Sequence, residues 1–253
     1  MRYLIKFSYD GSGYCGFQIQ PKLKTIQEEL ELALKKINNN HPVKVQSSGR
    51  TDKGVHALGQ TAHFDLDITI TEHKLKRALN SNLPDDIHVI EAKEVANTFH
   101  ARYMVKSKKY QYILNLGEYN PIERDYVFQY NYTLDLNAMK KALKYLKGTH
   151  DFRAFVTENI NKENCVRTIK KVSLKRDRSN REKIIITFEG SGFLRYQVRN
   201  MVGILLKVGQ GKIKPKKVKE ILESCDRSKN GVTAPSEGLY LVEVKYGKIE
   251  KKC

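Results

Sequence analysis

Residues 2–9 alternate apolar and polar positions and are rich in aromatic and aliphatic side chains, as a half-buried strand requires. From Thr25 the period changes, with Ile26, Leu30, Ala33, Leu34 and Ile37 recurring at helical spacing. Thr25 and Glu28 form a capping box in which hydroxyl and carboxylate satisfy free helix amides reciprocally. Residues 43–48 return to a strand pattern, a glycine-bounded loop follows, and residues 60–65 read as another strand. A helix carrying Leu75, Ala78, Leu79 and Leu83 stops at Pro84, and residues 87–92 close the unit. The order β-α-β-β-α-β is that of a ferredoxin-like unit.

The second half has related ingredients. Residues 103–116 predict a long strand, and Asp135 caps a helix carrying Leu136, Met139, Leu143 and Leu146 that Gly148 ends. Residues 166–175 and 183–189 predict a strand pair. A helix over 194–208 follows, then one with Pro215 in its first turn, and 239–246 is a final strand. The pattern predicts an α+β fold with sheets covered on one face, in two halves, 1–102 and 103–253, with no flexible linker.

Charge changes the picture. Lys and Arg total 46 against 28 Asp and Glu, a formal +18 on 253 residues. Such a surplus attracts polyanions, and nucleic acid is the usual partner because phosphate contacts release condensed counterions. Cys15, Cys165, Cys225 and Cys253 show no paired spacing and read as reduced thiols. The N-terminus turns polar too early for a signal peptide, and no apolar run approaches the ~20 residues that span a bilayer. A soluble, cytoplasmic protein without membrane contact is expected.

Candidate chemistry is concentrated in a few places. Gly11-Ser12-Gly13-Tyr14-Cys15-Gly16 fits a dinucleotide fingerprint, but Pro21 follows and the helix begins only near Thr25, so no helix N-terminus faces a pyrophosphate. A glycine turn that lets backbone approach its neighbours is the better reading. The seven histidines include His56 and His63, yet none has partners at metal-ligand spacing, and no metal is expected. In Gly49-Arg50-Thr51-Asp52-Lys53-Gly54 a carboxylate sits amid cations, which favours its ionised form. It can serve as nucleophile or general base, and Arg50 offers a planar fork to phosphate or base. The same Asp-Lys-Gly is also a good hairpin turn, and composition leaves both readings open. Tyr110 and Tyr112 share one strand face behind Lys106, Lys108 and Lys109, suiting either base stacking or a core pair. Arg195 and Arg199, four apart on a helix with Val198, Val202, Leu205 and Leu206, either cover its rim or hold a carboxylate.

Taken in order, these segments resemble the tRNA pseudouridine synthase A family over nearly the whole chain. The signature loop matches from Gly49 through Ala57, with Gly59-Gln60 following. Tyr9-Asp10-Gly11, Gly16-Phe17-Gln18, Asn82-Leu83-Pro84-Asp85-Asp86-Ile87, Phe99-His100-Ala101-Arg102 and Tyr110-Gln111-Tyr112 recur in sequence. So do Val198-Arg199-Asn200-Met201-Val202-Gly203, Thr233-Ala234-Pro235 and Glu237-Gly238-Leu239-Tyr240-Leu241. The resemblance implies isomerisation of uridine to pseudouridine in the tRNA anticodon arm, at tRNA positions 38, 39 and 40, with neither metal nor organic cofactor. It makes Asp52 the catalytic residue, Tyr110 the residue stacking on the target base, Arg50 a group displacing the nucleotide, and Arg199 a partner of Asp52. It also implies a homodimer whose two ferredoxin-like halves join along one mostly antiparallel sheet, helices on one side, around a central cleft. Lys53, where relatives often have a small residue, and Phe17, where a Trp is frequent, depart from the pattern.

Four rivals remain. In a non-catalytic RNA-binding module the 49–54 loop is only a turn. A metal-dependent nuclease or phosphoryl-transfer enzyme needs clustered carboxylates, and the loop offers one. A relative with a different RNA target, or an RNA folding chaperone, keeps the basic surface.

Overall fold

The computed structural model describes residues 1–156 and 164–249. Their order is β1 (Arg2–Tyr9), α1 (Ile26–Ile37), β2 (Gln46–Ser47), β3 (His56–Asp65), α2 (Glu72–Asn82), β4 (Ile87–Glu94), β5 (Val105–Asn115) and β6 (Phe128–Gln129), then α3 (Leu136–Lys144), β7 (Gly148–Asp151), β8 (Val166–Arg176), β9 (Lys183–Gly190), α4 (Gln197–Gly209), α5 (Lys216–Ser224) and β10 (Leu239–Tyr246). This is the mixed α+β architecture that the alternating periods predict. No helix among the described residues is long and apolar enough to cross a membrane.

The chain divides into two compact units, Met1–Lys106 with Leu241–Cys253, and Ser107–Tyr240. The first boundary thus falls at 106, not 102, and the chain returns to the first unit at Leu241, where pattern alone kept 103–253 together. Gly59 shows one physical reason: a Cβ there would lie 2.5 Å from the Val242 carbonyl oxygen, so the backbones of β3 and β10 touch. Tyr246 adds a side-chain tie, donating its hydroxyl to Ala101 at 2.7 Å and lying 2.6 Å from Thr61 Oγ1.

In the first unit the strand order is β4-β1-β3-β10, with β2 added to β3. β1 runs antiparallel to both neighbours, Arg2 opposite Asp65 and Tyr3 opposite Glu94. Tyr3, Ile5 and Phe7 are fully buried. α1 contributes buried Ile26, Leu30, Ala33 and Leu34, the three larger side chains stabilising by about 1.5–3 kcal/mol each. Thr25 caps it by accepting the Glu28 N–H at 3.4 Å, and acidic first-turn with basic last-turn residues complement its dipole. Thr71 caps α2 in the same way.

Residues 43–48 are only partly a strand. Val43 and Val45 are buried, as the alternation requires. The Val45 N–H, however, donates to Glu31 Oε1 at 3.0 Å, and its carbonyl accepts from Gln27 Nε2 at 3.3 Å. Side chains of α1 stand in for a ladder partner, and only Gln46 and Ser47 pair with β3.

In the second unit the order is β5-β9-β8-β7, antiparallel throughout, with β6 parallel to the end of β5. Asp135 caps α3 by accepting from Ala138, but the helix ends at Lys144 and Gly148, at φ +122, opens β7 instead. α4 starts at Gln197 because Tyr196 takes φ +62, a conformation that a right-handed helix excludes. Arg195 therefore precedes the helix and does not share a face of it with Arg199. Nearly all of α4 is buried, as its apolar composition demands.

Candidate active site

The loop at 49–55 is built from both ends. At its base Gln60, fully buried, accepts the Ser48 hydroxyl at 2.7 Å and donates to the Gly49 carbonyl at 2.9 Å. One amide side chain thereby staples the entering and leaving arms. At its tip the Val55 N–H returns to the Asp52 carbonyl at 3.2 Å, with Gly54 at φ +75, the third turn position where a positive φ favours glycine. The Asp-Lys-Gly turn is therefore real, and it is the frame that presents Asp52. Thr51 is buried, Asp52 half-buried, and Arg50 and Lys53 are exposed.

The end of β1 and the glycine turn hold the other side. Tyr9 OH lies 2.8 Å from Thr51 Oγ1, and burial pushes the phenol up to about 12, against hydrogen bonds from Thr51 and Gln60, so it stays neutral. The Phe17 N–H donates to the Thr51 carbonyl at 3.1 Å. A Cβ on Gly11 would lie 2.0 Å from the Val55 oxygen, and one on Gly16, at φ +92, 2.8 Å from the Thr51 oxygen. Two glycines of the apparent dinucleotide motif, Gly11 and Gly16, thus allow backbone-to-backbone contact with the Asp52 loop. Buried His56 accepts the Gly11 N–H at Nδ1, 3.1 Å away, beside the Asp10 carboxylate. Asp86 anchors the same turn, accepting the Tyr14 hydroxyl at 2.5 Å on its side chain and the Asp10 N–H at 2.9 Å on its carbonyl. Burial, then the Asp86 carboxylate, raises the Tyr14 phenol.

Pattern reading singled out Asp52 and Arg50 but not Tyr9, His56, Gln60 or Asp86 as their supports. Asp86 and Tyr9 were visible only as members of recurring segments. Nothing in local periodicity says that a carboxylate after Pro84 reaches the turn after β1.

In the second unit the two tyrosines have different surroundings. Tyr112 is fully buried and donates to the Pro235 carbonyl at 2.9 Å. Burial and then the Glu237 charge raise its phenol, against Arg199. It is a structural anchor. Tyr110, opposite Phe188 on β9, is 7% exposed and meets Phe193 edge to face at 5.2 Å. Lys108 is buried on the same strand, while Lys106 is exposed.

Arg199 is half-buried where Arg195 is exposed. Its Nε donates to the Ala234 carbonyl at 2.7 Å, its own carbonyl accepts the Ala234 N–H at 3.1 Å, and its guanidinium lies 5.0 Å from the Tyr196 ring centre. Arg195 lies 5.1 Å from the same ring. Burial raises the Glu237 carboxyl above its ordinary value, against its own backbone N–H and the Arg199 charge. Beneath it, fully buried Asn200 donates to Phe155 at 2.8 Å and accepts from Thr233 at 2.6 Å. Gly203 lets the 232–234 segment approach α4, since a Cβ there would lie 2.2 Å from the Val232 oxygen. The Thr233-Ala234-Pro235 segment thus ties Tyr112 to Arg199. Among the described residues no group of three or more His, Cys, Asp or Glu is arranged to hold a metal.

The family profile describing tRNA pseudouridine synthases matches residues 5–104 and 142–247, and the chain belongs to that family. It is 46% identical over 247 residues to the tRNA pseudouridine synthase A of Streptococcus mutans, covering 97% of this chain and 99% of that one. It is 45% identical over 246 residues to that of Streptococcus suis, covering 97% and 98%. With the Bacillus cereus tRNA pseudouridine synthase A 1 it shares 44% identity over 241 residues, covering 94% and 96%.

Proposed function

We propose that this protein isomerises uridine to pseudouridine in the anticodon arm of tRNA, at tRNA positions 38, 39 and 40, with Asp52 as the catalytic residue. The observation that carries the reading is the Asp52 loop itself, braced by Tyr9, the 11–17 turn and Gln60 in a chain of this family. The reaction breaks N1–C1′, turns the uracil and joins C5 to C1′, while the C5 hydrogen leaves as a proton and N1 gains one. It needs a positioned carboxylate and exclusion of water, and it needs no redox group. Extracting a base from a stem costs a few kcal/mol. Exposed Arg50 helps displace the nucleotide, Tyr110 stacks on the target base, and Arg199 acts in substrate binding. The protein works in the cytoplasm as a homodimer.

The test is release of tritium from tRNA labelled at uracil C5, in EDTA and without additives. Release supports the isomerase. Tight binding without release favours a binding module or a different RNA target, and activity lost to the chelator favours a metal-dependent enzyme.

A further inference from the structure

Tyr103 is 77% exposed, yet its ring is not loose. It lies on His100 with ring centres 4.2 Å apart and planes tilted by 34°. His100 in turn lies 4.7 Å from His63, which is buried and meets Phe99 edge to face. Three rings form a ladder from core to solvent, with Tyr103 at its open end. The imidazoles are held neutral by their partners: Nδ1 of His63 accepts the Ala101 N–H and Nδ1 of His100 the Arg102 N–H, both at 3.2 Å. The supporting loop is locked. Arg2 donates to the carbonyls of Asn97 at 2.5 Å and Phe99 at 2.9 Å while pairing with Asp65 at 2.8 Å. Met104 N–H closes onto His100 at 3.1 Å.

A rigid, neutral aromatic face fits a nucleobase, because stacking then orders little that is not already ordered. Arg102, next along the chain and exposed, supplies a phosphate partner on a chain of formal charge +18. The ladder also stands toward the other end of β3 from the 49–55 loop: His63 follows His56 by seven residues of that strand, roughly 23 Å at ~3.3 Å per residue. We infer that Tyr103, His100 and His63 form a second nucleobase platform, which stacks an unpaired base of the RNA substrate remote from the one isomerised at Asp52. The inference deepens, and rests on, the tRNA reading above.

The chain has no tryptophan, so Tyr103→Trp places a single indole at the open end of the ladder. Unmodified tRNA is expected to quench its emission saturably, and heparin, a polyanion without bases, to leave it unchanged. Unquenched emission in a complex that filter binding shows to have formed overturns the inference, as does equal quenching by heparin. Tyr103→Ala is expected to raise KM for tritium release roughly ten-fold at unchanged kcat, and Tyr103→Phe to restore it. Dissociation of a dimer by Tyr103→Ala in light scattering assigns the platform to protein contact and overturns it too. Wild-type protein that binds tRNA but releases no tritium defeats the isomerase reading instead, and the quenching result then decides the stacking on its own.

Discussion

Phe17 donates its backbone N–H to the carbonyl of Thr51 at 3.1 Å, one residue before Asp52. That bond needs Gly16 in its positive φ and without a side chain, since a Cβ would lie 2.8 Å from the same Thr51 oxygen. Gly16→Ala is therefore strained twice over, by about 1–3 kcal/mol. The expected result is a lower Tm in a thermal melt and a fall in kcat for tritium release larger than the change in tRNA Kd.

Tyr9→Phe removes one hydroxyl and leaves buried Thr51 without the partner at 2.8 Å. An unsatisfied buried hydroxyl costs about 1–3 kcal/mol. Urea denaturation should show that loss, and tritium release should slow while tRNA binding persists. Unchanged stability would mean that Thr51 finds another partner.

Asn200→Ala tests the frame in the second unit. It leaves the Phe155 carbonyl and the Thr233 hydroxyl without their 2.8 Å and 2.6 Å partners, which predicts a loss of about 2–4 kcal/mol by denaturant titration. The Thr233-Ala234-Pro235 segment should loosen with it, so amide exchange at Ala234, which donates to Arg199, should accelerate.

Stability should depend on pH through His63. Burial, then the Arg2 charge, lowers its imidazole from 6.5 to about 4. A folded value below the ordinary one means that protons bind the unfolded chain more readily. Stability is therefore flat above about pH 6.5 and declines as pH falls toward 4. His63→Gln, whose amide can accept the Ala101 N–H without titrating, should flatten the Tm profile between pH 7 and 5. An unaltered slope would move the effect to another group.

Much of this was legible in the chain, for identifiable reasons. β1, α1, α2 and the β8–β9 pair follow from periodicity and caps, which are local. Residues 43–48 misled because burial alternates there while side chains of α1, not a strand, satisfy Val45. The start of α4 was misplaced because Val198, Val202, Leu205 and Leu206 do not reveal a left-handed Tyr196. β6 and β7, two and four residues long, are too short for a period to register. Asp52 stood out from its loop, but its supports did not: Tyr9 and Gln60 lie 43 and 8 positions from it in the chain, and a pairing of that kind leaves no periodic trace.

The most direct test of the central claim compares wild type with Asp52→Asn on tRNA tritiated at uracil C5, in EDTA, alongside tRNA binding and thermal melts. Joining C5 to C1′ expels that hydrogen, so its release into water reports the isomerisation itself. The account predicts release by wild type and none above background by Asp52→Asn, which still folds and still binds tRNA. Release by Asp52→Asn at a rate comparable to wild type would contradict it.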